Sequence, residues 1–310
     1  MYAAVRVARE YVLEIGDDQD SWEPDLETLE FLNDAWFRGF FQLTEEWYRS
    51  KYGVALSPNS RTEEESLVLI HGVPFAVKVP MSIVTPDEPG KTAFLRMPDE
   101  VLATEDPLAW IANPPNLSAM NPKVRRQVLK DLEQVCGLLR GIRSSKMGIR
   151  KSDRVMRGFI QAAGGHLSTA PRLVLEHWQD GGSAKAAWEL QMACECSLKA
   201  VSQSEKSSFR EHHDLFVLYD EVAAHLPTFK RSRLKQLPRW REMASLRYGQ
   251  GHPPRLDEIF KWYVTTLQLV DCAFKFLSEI GLGKVTFKIG LPPWKQPFPT
   301  QDTNAEDETD

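Results

Sequence analysis

Hydrophobic positions recur at steps of three and four through residues 24–52, where Leu29, Leu32, Trp36, Phe40, Leu43 and Trp47 share one face and predict an amphipathic helix. Pro24 with Asp25, Glu27 and Glu30 suits its first turn, because proline gives up no hydrogen bond there and carboxylates meet the positive end of the helix dipole; Gly53 suits its stop. Beyond a polar loop at 57–65, residues 66–84 are rich in Val, Ile and Phe and are broken at Gly72-Val73-Pro74, the pattern of two strands around a turn. Residues 92–97 predict a third strand. Pro86, Pro89, Pro98, Pro107, Pro114 and Pro115 exclude long helices around them, and residues 1–15 fit strand and helix equally. Residues 1–118 therefore read as a small α+β unit with an antiparallel sheet.

From Asn121 the pattern turns helical. Asn121 can cap, Pro122 fits the first helical position, and Val124, Val128, Leu132, Val135, Leu139 and Ile142 make a continuous stripe. Further helical patterns cover 153–163, stopped by Gly164-Gly165, then 184–201 after a short segment opened by Pro171 (171–179) and a Gly181-Gly182 break, 215–226, 238–248 and 256–280. Six helices with short connections predict a bundle over 119–280. One more strand is expected at 284–289, followed by a Pro-rich and acidic tail that completes 281–310 and is expected to be disordered. The fold class is α+β, a small α+β unit followed by a mainly helical bundle.

Composition narrows the function classes. The longest apolar runs, such as 67–70, fall far short of the roughly 20 residues that span a bilayer, and Arg6, Arg9, Glu10 and Glu14 stand where a signal peptide would be apolar, so neither membrane insertion nor secretion is expected. Four cysteines in 310 residues fit reduced thiols in a cytoplasm. Cys194-x-Cys196 lies on a predicted helix, where positions two apart diverge by about 200° and do not share a metal. No phosphate loop, dinucleotide fingerprint, nucleophile elbow or zinc-protease motif occurs, and no cofactor is expected.

The overall charge of −5 hides segregation. Residues 123–157 hold eleven basic residues against Asp131, Glu133 and Asp153, a local +8, and 229–241 adds six bases with no acid, whereas residues 1–30 carry nine acids against two bases. Such segregation suits a phosphate backbone, where each neutralised phosphate releases counterions; it equally suits docking onto acidic segments of the same chain. Arg143, Lys146, Arg150, Lys151, Arg154 and Arg157 are the candidate RNA-binding residues.

Several short motifs stand together in the C-terminal half: Ala187-Trp188-Glu189-Leu190 leading through Glu195-Cys196-Ser197-Leu198-Lys199-Ala200, then His213-Asp214-Leu215 opening a helix with Leu218-Tyr219, then Arg247-Tyr248 and a long last helix. On these, residues 184–280 resemble a HEPN domain, a helical bundle found beside nucleotidyltransferases and in toxin, RNA-processing and antiviral systems. The resemblance implies one of two biochemistries. Some HEPN proteins are metal-independent ribonucleases that use Arg, four to six residues, then His; Arg247 and His252 have that spacing ahead of the last helix, which would make Arg247 the phosphate stabiliser and His252 the general acid/base. Tyr248 departs from the polar residue that commonly follows the Arg, and His252 stands in a Gly249-Gln250-Gly251-His252-Pro253-Pro254 loop. Other members lack the pair and serve as binding or dimerising modules, with nucleic acid, a protein partner or a second copy. The favoured expectation is the non-catalytic binding or assembly module, associated with nucleic acid or a defence or toxin system; the ribonuclease is the alternative. At His212-His213-Asp214, Asp214 is expected to cap a helix.

Overall fold

The computed structural model describes residues 63–86, 92–149, 152–247 and 252–290; the expected helix at 24–52, the ambiguous 1–15 segment and the acidic tail lie outside them. Strands β1 (Glu63–Ile70) and β2 (Val73–Pro80) pair antiparallel, Glu63 opposite Pro80 and Ile70 opposite Val73. Their two-residue loop is His71-Gly72, and both have positive φ, 52° and 77°, the type I′ geometry whose twist matches that of the flanking strands. The turn thus falls before Val73-Pro74, which already belong to β2. Pro74 is tolerated because a two-stranded sheet leaves each strand an open edge.

Two compact units divide the chain, one made of Thr62–Val84 with Leu95–Phe287, the other of Met1–Arg61, Thr85–Phe94 and Lys288–Asp310. The hairpin therefore belongs with the helices, and the shift of pattern expected to bound a unit at 118/119 falls inside the larger one. Strands β3 (Ile83–Pro86), β4 (Thr92–Arg96) and β5 (Thr286–Gly290) form a second sheet in the order β3-β4-β5.

Six helices follow: α1 (Pro122–Gly148), α2 (Arg154–His177), α3 (Gly182–Lys206), α4 (Leu215–Val222), α5 (Trp240–Arg247) and α6 (Leu256–Leu277). Their starts are written in side chains. Asn121 Oδ1 accepts from the Lys123 N–H at 2.9 Å, Asp153 Oδ1 from Met156 at 2.7 Å and Asp214 Oδ1 from Phe216 at 2.8 Å, each satisfying a donor that the helix leaves unpaired.

One expectation is corrected. Gly164-Gly165 does not stop a helix, and Pro171 does not start one; α2 runs unbroken through all three. Each glycine costs about 1 kcal/mol and the proline about 3 against alanine, but the stripe Met156, Ile160, Ala163, Leu167, Ala170 and Val174 is buried along the whole length. Burying such side chains stabilises by roughly 1.5–3 kcal/mol for each large one, which outweighs the local preference. A Cβ at Gly164 would stand 2.9 Å from Lys146 Nζ, the far end of a flexible side chain.

Helix α3 lies centrally, packed on α2, α6, α4 and α5, while α6 also packs on α1. Between α1 and the segments before it stands Arg140, 1% exposed. Its guanidinium forks onto Glu105 Oε2 and Oε1 at 2.6 and 2.7 Å, donates to the carbonyls of Pro80 at 2.8 Å and Glu100 at 2.9 Å, and lies 4.8 Å from the Trp110 ring centroid. A second buried tie joins Ser66 Oγ to Tyr263 OH at 2.9 Å, linking β1 to α6.

Removing one partner of a buried ion pair strands the other charge, at about 3–5 kcal/mol. Glu105→Gln is expected to lower unfolding free energy by on the order of 3 kcal/mol in urea titration, and Arg140→Lys to recover little, since one ammonium cannot reproduce the fork. Burial raises the Glu105 carboxyl, but the Arg140 hydrogen bonds, the Leu102 N–H and the Arg140 charge outweigh it and hold the group below the ordinary carboxylate range. The pair's contribution should thus be complete above about pH 4.3 and disappear as pH falls through the lowered folded value.

Candidate functional site

On α3, Trp188, Gln191, Glu195 and Lys199 follow at steps of three, four and four, which places them on one face. This face meets the chain around α4 and α5. Glu195 is buried, its side chain 7% exposed, and it survives there because two donors reach it: Lys199 Nζ at 2.7 Å, and His213 Nδ1 at 3.1 Å from both carboxylate oxygens. A carboxylate accepts but does not donate, so Nδ1 is the protonated nitrogen and Nε2 lies on the opposite edge of the ring.

His213 stacks on Trp240, the first residue of α5, with centroids 4.5 Å apart and planes at 15°; Trp188 meets the same indole at 5.6 Å. The His213 side chain nevertheless remains 53% exposed. With one ring face on Trp240 and Nδ1 on Glu195, the exposure belongs to the other face and the Nε2 edge. Alongside, Phe216 carries two guanidinium groups, Arg231 and Arg239, each 5.1 Å from its centroid. Arg231 is also forked onto Asp220 at 2.6 and 2.8 Å. The result is a surface of aromatic rings and cations built on buried supports.

Helix α3 ties this surface to the basic start of α2. Lys199 Nζ lies 5.7 Å from the Phe209 centroid, and the Phe209 ring meets Phe159 of α2 edge-on at 4.7 Å. Two turns beyond Glu195, Gln203 Nε2 donates to Asp153 Oδ2 at 2.7 Å, about 12 Å along the helix at 1.5 Å per residue. Arg154 and Arg157 in the first turn of α2 are exposed, and Arg157 donates to the Ser152 carbonyl at 3.1 Å. Of the other candidate RNA-binding residues, Arg143 is exposed, Lys146 is half-buried near Glu64, and Arg150 and Lys151 lie outside the described residues. Burial and the Arg143 charge lower the Lys146 ammonium, with Glu64 opposing them. Arg140, counted in the same basic run, is spent inside the fold.

Arg247 ends α5, with its side chain outside the described residues, and His252 is exposed in the extended chain before α6. Asp214 caps α4 as expected, and Cys194 and Cys196 turn to different helices: Cys194 Sγ donates to Thr266 on α6, while Cys196 acts on His166 of α2. Glu195 and its hold on His213 were not foreseen; the signal available was the Glu195-x-x-x-Lys199 pair on a face that also carries Trp188 and Gln191.

Among the described residues, no helix is long and apolar enough to cross a membrane. Comparison with protein-family models, with curated proteins and with solved structures finds no match to the chain.

His166 supplies a check on the α2–α3 contact. Its Nδ1 lies 2.6 Å from Glu189 Oε2, and hydrogen bonds to Cys196 first and Glu189 second push its pKa up to about 9. A raised folded value stabilises fully below the unfolded pKa of about 6.5 and loses that contribution as pH climbs through the folded value. The stability difference between the parent and His166→Gln should be constant below about pH 6 and shrink steadily toward pH 9.5 in urea titrations; a difference that grows with pH would contradict the assignment.

Proposed function

We propose that the chain is a non-catalytic binding module, HEPN-like over 184–280, that engages single-stranded nucleic acid at the His213–Trp240 surface. The observation that carries this reading is the stacked imidazole, half in solvent and clamped by a buried carboxylate, beside a segment with six bases and no acid. Every base has a π-face, so an exposed, rigidly held ring offers stacking worth about 1–3 kcal/mol per base. Cations beside it neutralise phosphates. The exposed Arg154 and Arg157, reached along α3, extend the basic track, with Arg143, Lys146, Arg150 and Lys151 as its continuation.

A single-stranded path suits this geometry better than a duplex. Stacking needs bases free of their partners, and His213 and Trp240 stand at the starts of the short helices α4 and α5. The ribonuclease alternative, with Arg247 and His252 as its pair, rests on the family resemblance and their spacing.

Electrophoretic shift of single-stranded RNA in EDTA tests both readings at once. The binding reading expects a shifted, intact strand; His213→Ala should weaken it by about five- to hundredfold, measured at a temperature where circular dichroism shows the variant folded. Arg239→Gln should weaken all strands alike and reduce the salt slope by roughly 0.7. Cleavage that disappears in His252→Ala would establish the alternative, and failure to shift any strand would reject nucleic acid as the ligand.

A further inference from the structure

Glu189 and Cys196 stand two turns apart on α3 and therefore share one of its faces. His166 of α2 meets that face. Its Nδ1 lies 2.6 Å from Glu189 Oε2, and Cys196 acts on the same ring. Glu195, one residue before Cys196, turns about 100° away around the helix toward His213, so the two clusters are separate. A carboxylate, an imidazole and a thiol thus gather at the α2–α3 contact, and solvent reaches them: the His166 side chain is 30% exposed, that of Glu189 21%, and Cys196 is partly exposed.

The other three cysteines have no such setting. Cys136 and Cys194 are buried, and burial above all pushes their thiols up to about 12. Cys272 is buried as well, its sulfur 3.0 Å from Thr228 Oγ1. Thiols enclosed in apolar surroundings are inert, whereas a thiol beside a cation and open to solvent reacts, because the thiolate is the nucleophile and a neighbouring positive charge favours it. His166 supplies that charge, since hydrogen bonds to Cys196 and then Glu189 keep its ring protonated through neutral pH. Glu189 also holds the ring in place, the part a carboxylate plays when an imidazole serves a nucleophile.

We infer that Cys196 is a peroxide-reactive thiol, a site of oxidation to the sulfenic acid that His166 activates and Glu189 positions. The sulfur attacks one oxygen of a small peroxide, hydrogen peroxide in the simplest case, and the S–O bond forms as the O–O bond breaks. The departing hydroxide takes a proton from the His166 imidazolium and leaves as water. The proton given up by the thiol returns the ring to its charged form. Sulfur is oxidised, the peroxide is reduced, and no further reagent is needed. With Cys136, Cys194 and Cys272 buried, the sulfenic acid has no exposed thiol of its own chain to condense with and stays available to a trapping reagent.

The test exposes the reduced full chain to hydrogen peroxide at pH 7 in the presence of dimedone, which captures sulfenic acids, and locates the adduct by peptide mass spectrometry. Cys196 should acquire it ahead of the other three cysteines, at a rate about tenfold or more above that of a free cysteine peptide, of which only a few per cent is thiolate at this pH. His166→Gln, read at a temperature where circular dichroism shows it folded, should bring the rate to within about twofold of the peptide's. Glu189→Gln should lower it in part, and it serves if His166→Gln does not fold. A Cys196 rate in the parent no greater than the peptide's, an adduct spread evenly over all the cysteines, or a parent-like rate in the folded variants overturns the inference.

Discussion

The buried Arg140 guanidinium sets the terms for the rest of the larger unit. A charge with no exposed side-chain surface is tolerated only when each of its donors finds an acceptor, and the acceptors come from three places: the end of β2 at Pro80, the Glu100 carbonyl, and the Glu105 carboxylate. Meeting that demand pins the hairpin and the 100–110 stretch to one point on α1. Helix α6 then fills the space between α1 and α3, bolted to β1 through Tyr263 and Ser66. Gly141, beside Arg140, is the bare position that admits Asp271 of α6, since a Cβ there would collide with the Asp271 carboxylate.

The same rule operates on the site face of α3. Glu195 is buried against both Lys199 and His213, and the pairing fixes an imidazole that would otherwise swing freely in solvent. Trp240 then covers one face of the ring. Order at the surface is thus obtained from a charge in the interior, and this order reduces the entropy lost when a flat ligand stacks. Gln191 adds a hold one turn earlier, its Nε2 donating to the His213 backbone carbonyl at 3.1 Å.

Local chemistry made much of the fold legible. Asn121-Pro122 and Asp214 announced helix starts through capping, and the stripes of α1 and α6 gave their lengths and buried faces. What failed was local punctuation overruled by packing: Gly164-Gly165 and Pro171 read as breaks, yet a buried stripe on both sides carries α2 across them. The turn of the hairpin falls one residue earlier because His71 takes a positive φ, which His adopts more readily than most residues other than glycine. Charge was harder still. Arg140 counted as one of eleven cations on a basic run, although its place four residues after Cys136 and next to Leu139 put it on the apolar stripe. The candidate site joins α3 to residues 18 to 52 positions later in the chain, His213 to Glu195 and Trp240 to Trp188, and no spacing rule reaches that far.

The most direct measurement is a titration of single-stranded RNA into isotopically labelled protein, followed by the indole N–H of Trp240 and the imidazole of His213 in nuclear magnetic resonance spectra. If the stacked pair is the binding surface, these two resonances shift together along one saturation curve, and those of Trp188 follow. Shifts confined to residues 143–157, or no shift at either ring while RNA binds, would contradict the account.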